Sequence, residues 1–250
     1  ALKTGDVVTQ SYVVRVTDAQ GAYVDQTVVV TINGTNDKPV ATSSTAAKAG
    51  AVTEASVLDA GVSTATGTLT TSDVDATSSK TWAIVGTPSA TYGNFTVNAT
   101  TGAWTYVLDN NLAATQALAA GAVVTQTFTV RATDDQASTV DQTVTVTING
   151  TNDVPVITNN AAAKAGAVTE AGAGVAGTST ATGTLTSSDV DTGATQAWSI
   201  VGTPSATYGA FTVNATTGVW SYVLDNNLAT TQALKTGDVV TQSYVVRVTD

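Results

Sequence analysis

The feature that most limits what this chain can fold into is its internal repetition. Thr31–Asp37 returns letter for letter at Thr147–Asp153, 116 residues later, and Ala1–Asp18 returns unchanged at Ala233–Asp250, two such periods on. Between Trp82–Leu112 and Trp198–Leu228, 27 of 31 positions are identical, with no insertion. A period this long excludes solenoids, whose units of roughly 20–50 residues bury their apolar faces only against neighbours. It is the size of a domain that carries its own core. The chain therefore reads as beads in series. The natural cut falls at the polar Asn-Gly-Thr-Asn-Asp segment, where Pro39 and Pro155 stop strand pairing. It divides the sequence into residues 1–37, the C-terminal part of a preceding repeat; 38–153, a complete repeat; and 154–250, a further repeat lacking its final strand. Residues 19–37 of a neighbouring chain are a segment that could supply that strand.

Within the unit, apolar residues alternate with period two, the signature of a half-buried strand. Val124, Gln126, Phe128, Val130 and Ala132 share one face, and Thr125, Thr127, Thr129, Arg131 and Thr133 the other. Val140, Gln142, Val144, Val146 and Ile148 alternate in the same way, and the short turn between the two runs makes them an antiparallel pair. Phe95 and Val97 face Trp104, Tyr106 and Leu108 across a turn that ends in Gly102, giving a second hairpin. Ala65, Gly67 and Leu69 mark another strand, Trp82 and Ile84 another, and Val52–Ser56 a weaker first one. The Ala-rich run from Leu112 to Ala120 resembles a short helical crossover. About seven short strands with solvated Thr-rich faces describe an all-β fold of tandem β-sandwich domains, each of about 116 residues. Trp82, Trp104, Tyr92 and Tyr106 read as core; a sugar-stacking platform is the alternative.

Composition removes most chemistry. The chain has no Cys, no Met and no His. Disulfides, thiolate nucleophiles, Cys-ligated zinc and the Ser-His-Asp triad are therefore excluded. Nineteen acidic residues against nine scattered basic ones, a net charge of −10, make a poor surface for phosphate, so no nucleic-acid partner is expected. No stretch approaches the roughly 18 apolar residues of a membrane span, so no membrane insertion is expected in this region. A glycosidase can work with two carboxylates, and Asp73 with Asp75 is such a pair. Adjacent loop acids are more simply read as cation ligands, and no enzyme activity is expected.

Taken in order, Gly67–Leu69, Ser72–Asp75, Tyr92–Val97, Gly102–Asn110, Gln116–Leu118, Val130–Asp134 and Gly150–Asp153 resemble a VCBS repeat. These are the cadherin-like or Ig-like domains strung in long arrays in giant bacterial RTX-type adhesins, and the likeness covers essentially the whole chain. Asn98 and Thr100 depart from the family, which often has Asp there, and this weakens any case for a cation at that turn. The resemblance implies an extracellular extender at the bacterial cell surface. It would be stiffened by Ca2+ at its junctions and partnered by neighbouring repeats of the same chain, holding a ligand-binding region that lies elsewhere away from the cell for adhesion and biofilm formation. The alternative is a glycan- or surface-binding module that acts through avidity.

The acidic residues can be read for a cation directly. Calcium takes six to eight oxygens, several of them carboxylate, from loops. The only two glutamates, Glu54 and Glu170, lie one period apart; Asp73 and Asp75 recur as Asp189 and Asp191, Asp109 as Asp225, Asp134 as Asp18 and Asp250, and Asn36 with Asp37 as Asn152 with Asp153. Sandwich topology places the Asp73/Asp75 loop and Asp134 at the end next to the preceding linker, and Glu54 and Asp109 at the far end. One junction is thus expected to gather Glu54 and Asp109, then Asn152 and Asp153, then Asp189, Asp191 and Asp250. At the preceding junction Asn36, Asp37, Asp73, Asp75 and Asp134 take the corresponding places. This distribution resembles the calcium-sharing junction of cadherins. The competing reading is that Asp and Asn simply favour turns.

Overall fold

A computed structural model describes residues 1–75 and 79–250. The chain divides into two compact units, one of Ala1–Ala55, Gly61–Thr115 and Ala122–Asn149, the other of Ser56–Ala60, Gln116–Gly121 and Gly150–Asp250. Among the described residues no helix is long and apolar enough to cross a membrane.

The first unit opens with a long hairpin, β1 (Val7–Thr17) and β2 (Tyr23–Asn33). Nine strands follow: β3 (Val40–Ala41), β4 (Ala49–Thr53), β5 (Thr64–Thr68), β6 (Thr71–Ser72), β7 (Lys80–Ile84), β8 (Gly93–Val97), β9 (Ala103–Leu108), β10 (Val123–Asp134) and β11 (Thr139–Asn149). One sheet has the order β4-β11-β10-β7 and another β5-β9-β8, while β3 pairs β6. β10 and β11 form the antiparallel pair that their alternation requires, and β4 runs parallel to β11. Phe95 lies opposite Tyr106 and Val97 opposite Trp104, as the second hairpin predicts.

The two inner faces meet in an aromatic core. Trp104, Tyr106 and Phe95 pack from one sheet, and Phe128, Val130, Ala132, Val144, Val146 and Ile148 from the other, all buried. Phe95 and Phe128 stack with ring centroids 4.2 Å apart. The Tyr106 hydroxyl donates to Gln126 Oε1 at 2.8 Å, and Gln126 Nε2 donates to Ser89 Oγ at 3.0 Å, so these two polar side chains are partnered inside the core. Burial pushes the Tyr106 phenol up to about 12. Trp82 is buried and Tyr92 half-buried, which leaves no exposed stacking platform among these four rings. Gly67 is needed because the Trp104 indole lies across it: a Cβ there would stand 2.6 Å from Nε1, which donates to the Ala47 carbonyl at 2.8 Å.

Two expectations shift. The strand expected at Val52–Ser56 is β4, Ala49–Thr53, because its ladder to β11 ends where Asn149 meets Thr53, and the short β3 precedes it. The Leu112–Ala120 run contains one helical turn, α1 (Ala113–Gln116), before Gly121 takes a positive φ of 80°.

The second unit repeats the pattern with β12 (Val156–Ile157), β13 (Thr180–Thr184), β14 (Ser187–Ser188), β15 (Ala197–Ile200), β16 (Gly209–Val213), β17 (Val219–Leu224), α2 (Ala229–Gln232) and β18 (Val246–Thr249). The β13-β17-β16 sheet matches its counterpart, but β15 pairs only β18.

Candidate metal centre

Strand register brings the sequence-distant acids together. β12 pairs β14 with Val156 opposite Ser188 and Ile157 opposite Ser187. Continued toward the linker, this register sets Asp153 opposite Asp191. The Asp153 amide duly donates to Asp191 Oδ2 at 2.9 Å, and the Asp191 amide to Asp189 Oδ1 at 3.0 Å. Asn152 Nδ2 donates to Asp250 Oδ2 at 2.7 Å and to the Asp153 carbonyl at 2.9 Å. The second unit therefore gathers Asn152, Asp153, Asp189, Asp191 and Asp250. Asn152, Asp191 and Asp250 also line an open cavity of about 200 Å³, with Thr192 and Gly193.

The same logic works one period earlier. Pairing of Val40 with Ser72 and Ala41 with Thr71 brings Asp37 to Asp75, whose Oδ2 accepts the Asp37 amide at 2.8 Å. Asn36 Nδ2 donates to Asp134 Oδ2 at 3.2 Å and Ser138 Oγ at 2.9 Å. The Asp75 amide donates to Asp73 Oδ1 at 3.0 Å.

These carboxylates are short of partners. Asp153 and Asp191 are 9% and 7% exposed, yet Asp153 Oδ2, Asp189 Oδ2 and Asp191 Oδ1 are buried with no hydrogen-bond donor, as is Asp75 Oδ1 in the first unit. Burial, then the nearby charges of Asp191 and Asp189, push the Asp153 carboxyl above its usual range. Buried anionic oxygen with nothing to neutralise it is costly, so the donor set fits a hard cation that takes oxygen ligands. As they stand, no three acidic side chains among the described residues are gathered closely enough to hold a metal ion. The loop oxygens supply only part of a ligand shell.

The remaining expected ligands belong to the first unit. Glu54 is fully buried, its amide bonded to the Asn149 carbonyl at 2.9 Å where β11 ends. Asp109 is exposed and turns back on its own loop, with Oδ1 accepting from the Asn111 amide at 2.9 Å and Asn111 Nδ2 at 3.1 Å. Asp134 Oδ1 caps the β10–β11 turn through the amides of Gln136 and Ser138, so turn chemistry accounts for that oxygen. Two residues escape a reading that follows acids. Asn110 clamps Ala55 with both side-chain atoms, at 2.9 and 2.7 Å, and Asn226 does the same to Ala171, which ties the Glu54 segment to the Asp109 loop within the first unit. Their recurrence one period apart was the available signal. Lys3 meets Asp135 at 2.6 Å, and the ammonium holds that carboxyl below its usual range.

The fold is a tandem β-sandwich whose repeat ends carry paired acidic loops. Residues 36–150 match the model of the bacterial cadherin-like domain, which makes that repeat cadherin-like. No curated protein matches the chain. Among solved structures, the protocadherin GammaB4 extracellular domain is similar at 15% identity, over 97% of this chain and 42% of its own, with a TM-score of 0.44. Human CDH23 EC21-23 is similar at 17% identity, over 87% and 64%, with a TM-score of 0.45. Mouse clustered PcdhgC3 EC1-3 is similar at 16% identity, over 89% and 68%, with a TM-score of 0.41. The chain thus spans less than half of the first of these structures.

Proposed function

We propose that this chain is a run of spacer domains from a large bacterial cell-surface adhesin of the RTX type. Its VCBS-like repeats, cut near residues 37 and 153, stand in series outside the cell, hold a distal ligand-binding region away from the surface for adhesion and biofilm formation, and are stiffened by Ca2+ at their junctions. The observation that carries this reading is the set of buried, donor-less carboxylate oxygens on Asp153, Asp189 and Asp191 beside the Asn152–Asp153 segment. A divalent cation would neutralise them, with Asn152 and Asp250, which line one cavity with Asp191, drawn in to complete its shell. At the earlier junction Asn36, Asp37, Asp73, Asp75 and Asp134 take the same roles. Glu54 and Asp109 are assigned to the later ion from sequence order alone. A cation that binds only the ordered junction stabilises it by mass action, so loosely hinged beads become a stiffer rod.

The test is to melt the chain with and without EDTA and to record its small-angle scattering in both states. Chelation is expected to lower the melting temperature and broaden the particle's shape. The double variant Asp189→Ser with Asp191→Ser should keep its fold and lose the calcium response; if the variant still responds in full, the ligand assignment is wrong. A glycan-binding role has less support, because Trp82, Trp104, Trp198 and Trp220 are all buried.

A further inference from the structure

The ion pair of Lys3 with Asp135 joins residues 132 apart in the sequence, both within the first unit. Neither partner is required by the repeat that carries it. The Lys3 backbone sits in a built turn: its amide donates to Asp6 Oδ2 at 3.0 Å, and the Asp6 amide donates to the Lys3 carbonyl at 2.9 Å. Gly34 makes room for that carbonyl, since a Cβ there would stand 2.3 Å from it. Lys235 and Asp238 form the same turn, with both bonds at 2.9 Å. Between these copies Ala119 and Ala122 hold the two places. Ala119 lies in the wall of the cavity that Asn152, Asp191 and Asp250 line, so in the second unit this position meets the acidic loops without a charge. Asp135 is equally optional, because Ala19 takes its place one period earlier. That turn closes in the same way without it: Asp18 Oδ1 accepts the Gln20 amide at 3.0 Å and the Ala22 amide at 2.8 Å, as Asp134 Oδ1 accepts those of Gln136 and Ser138. Turn formation therefore accounts for Asp134 but not for Asp135, whose carboxylate is left to the lysine.

We propose that Lys3 is a resident counter-ion that latches its junction through Asp135 in the absence of metal, and that Ala119 marks a second kind of junction, which lacks this latch and relies on a bound cation alone. The inference rests on the reading of the acidic loops as a cation site and adds that the junctions of one rod answer calcium unequally. An ion pair in open solvent contributes little. Here the two side chains are only 23% and 25% exposed, and the charges of Asp6 and Asp75 also act on the ammonium. Asp75 is 6% exposed and its Oδ1 has no donor, so a fixed positive charge nearby offsets part of what a cation would otherwise neutralise. The lysine-bearing junction thus keeps its alignment when calcium is scarce and gains less when calcium binds.

The chain has no Cys, so spin labels on Thr9→Cys and Thr127→Cys, exposed positions of β1 and β10, read the junction in the full chain by pulsed electron resonance. In EDTA the parent and Lys3→Arg are expected to give a narrow distance distribution, and Lys3→Gln and Asp135→Asn a broad one. The double variant Lys3→Gln with Asp135→Asn should be no broader than either single variant, because the two side chains act as one pair. Millimolar calcium should narrow Lys3→Gln to the width of the parent. Equal widths for the parent and Lys3→Gln in EDTA, or additive broadening in the double variant, would overturn the latch, even if calcium narrows every sample and so upholds the cation site. A difference in EDTA that calcium leaves untouched would uphold the latch and overturn the cation site instead.

Discussion

Asp191→Asn separates a cation ligand from a structural cap, because the two roles predict opposite signs. The amide keeps an oxygen to accept the Asp153 N–H, so the 2.9 Å bond survives. What is lost is a negative charge facing Asp153 and Asp189. Two like unit charges on neighbouring carboxylates, at an effective dielectric of about 20, repel by a few kcal/mol. Screening by salt and the partial exposure of Asp189 reduce this to about 1–2 kcal/mol. For a domain of about 100 residues that is a melting shift of roughly 4–16 °C. The metal-free variant should therefore melt higher than the parent. Calcium at 100 times its dissociation constant stabilises the parent by about 2.7 kcal/mol, and most of that increment should vanish in the variant. Calorimetry in EDTA and in millimolar calcium measures both. A variant that melts lower without metal, yet keeps the full calcium increment, would refute the reasoning and leave Asp191 a turn cap.

The remaining predictions follow from the same contacts. Without metal, the folded state holds the Asp153 proton more tightly than the unfolded chain. That contribution is fully present below the unfolded carboxyl value of 3.8 and is lost as pH rises through the raised folded value; Asp153→Asn should flatten this part of a stability–pH curve. Gly67→Ala forces a Cβ to 2.6 Å from Trp104 Nε1, and urea unfolding should show a loss of about 1–3 kcal/mol from overpacking, with Gly183→Ala behaving alike in the second unit. Phe128→Ala should cost about 3–5 kcal/mol, whereas Tyr12→Ala, the same repeat position but 52% exposed, should stay within about 0.5 kcal/mol in dilute solution; equal losses would contradict the burial difference.

The sandwich was legible because its strands alternate strictly. Phe128, Val130 and Ala132 on β10, and Val144, Val146 and Ile148 on β11, had nowhere to go but a shared interior, and they lie there. Edges were less legible. Val52–Ser56 looked apolar enough to be the first strand, but the strand begins at Ala49 and ends at Thr53 because its length is set by β11, which alternation within residues 49–56 does not encode. The helical turn was overestimated for a related reason: the alanines from Ala113 to Ala120 favour helix, but Gly121 and the start of β10 close it early. At the acidic loops, the meeting of Asp153 with Asp191 and of Asp37 with Asp75 followed from topology. The asparagine clamps at Asn110 and Asn226 did not, because a side-chain amide bonded to backbone leaves no charge pattern in a sequence.

The parallel pairing of β4 with β11 has a mechanical consequence. These are the first long strand and the last strand of the repeat, and they run side by side from Ala49 opposite Thr145 to Thr53 opposite Asn149. A pull that carries residue 38 away from residue 149 is directed along both strands in opposite senses. The evenly spaced bonds of a parallel pair are then loaded in shear and must fail together, instead of parting one at a time like a zipper. Single-molecule stretching should show residues 38–149 yielding in one abrupt high-force event, and a gradual low-force opening would contradict it. A tether built from such units resists drag before any unit gives way.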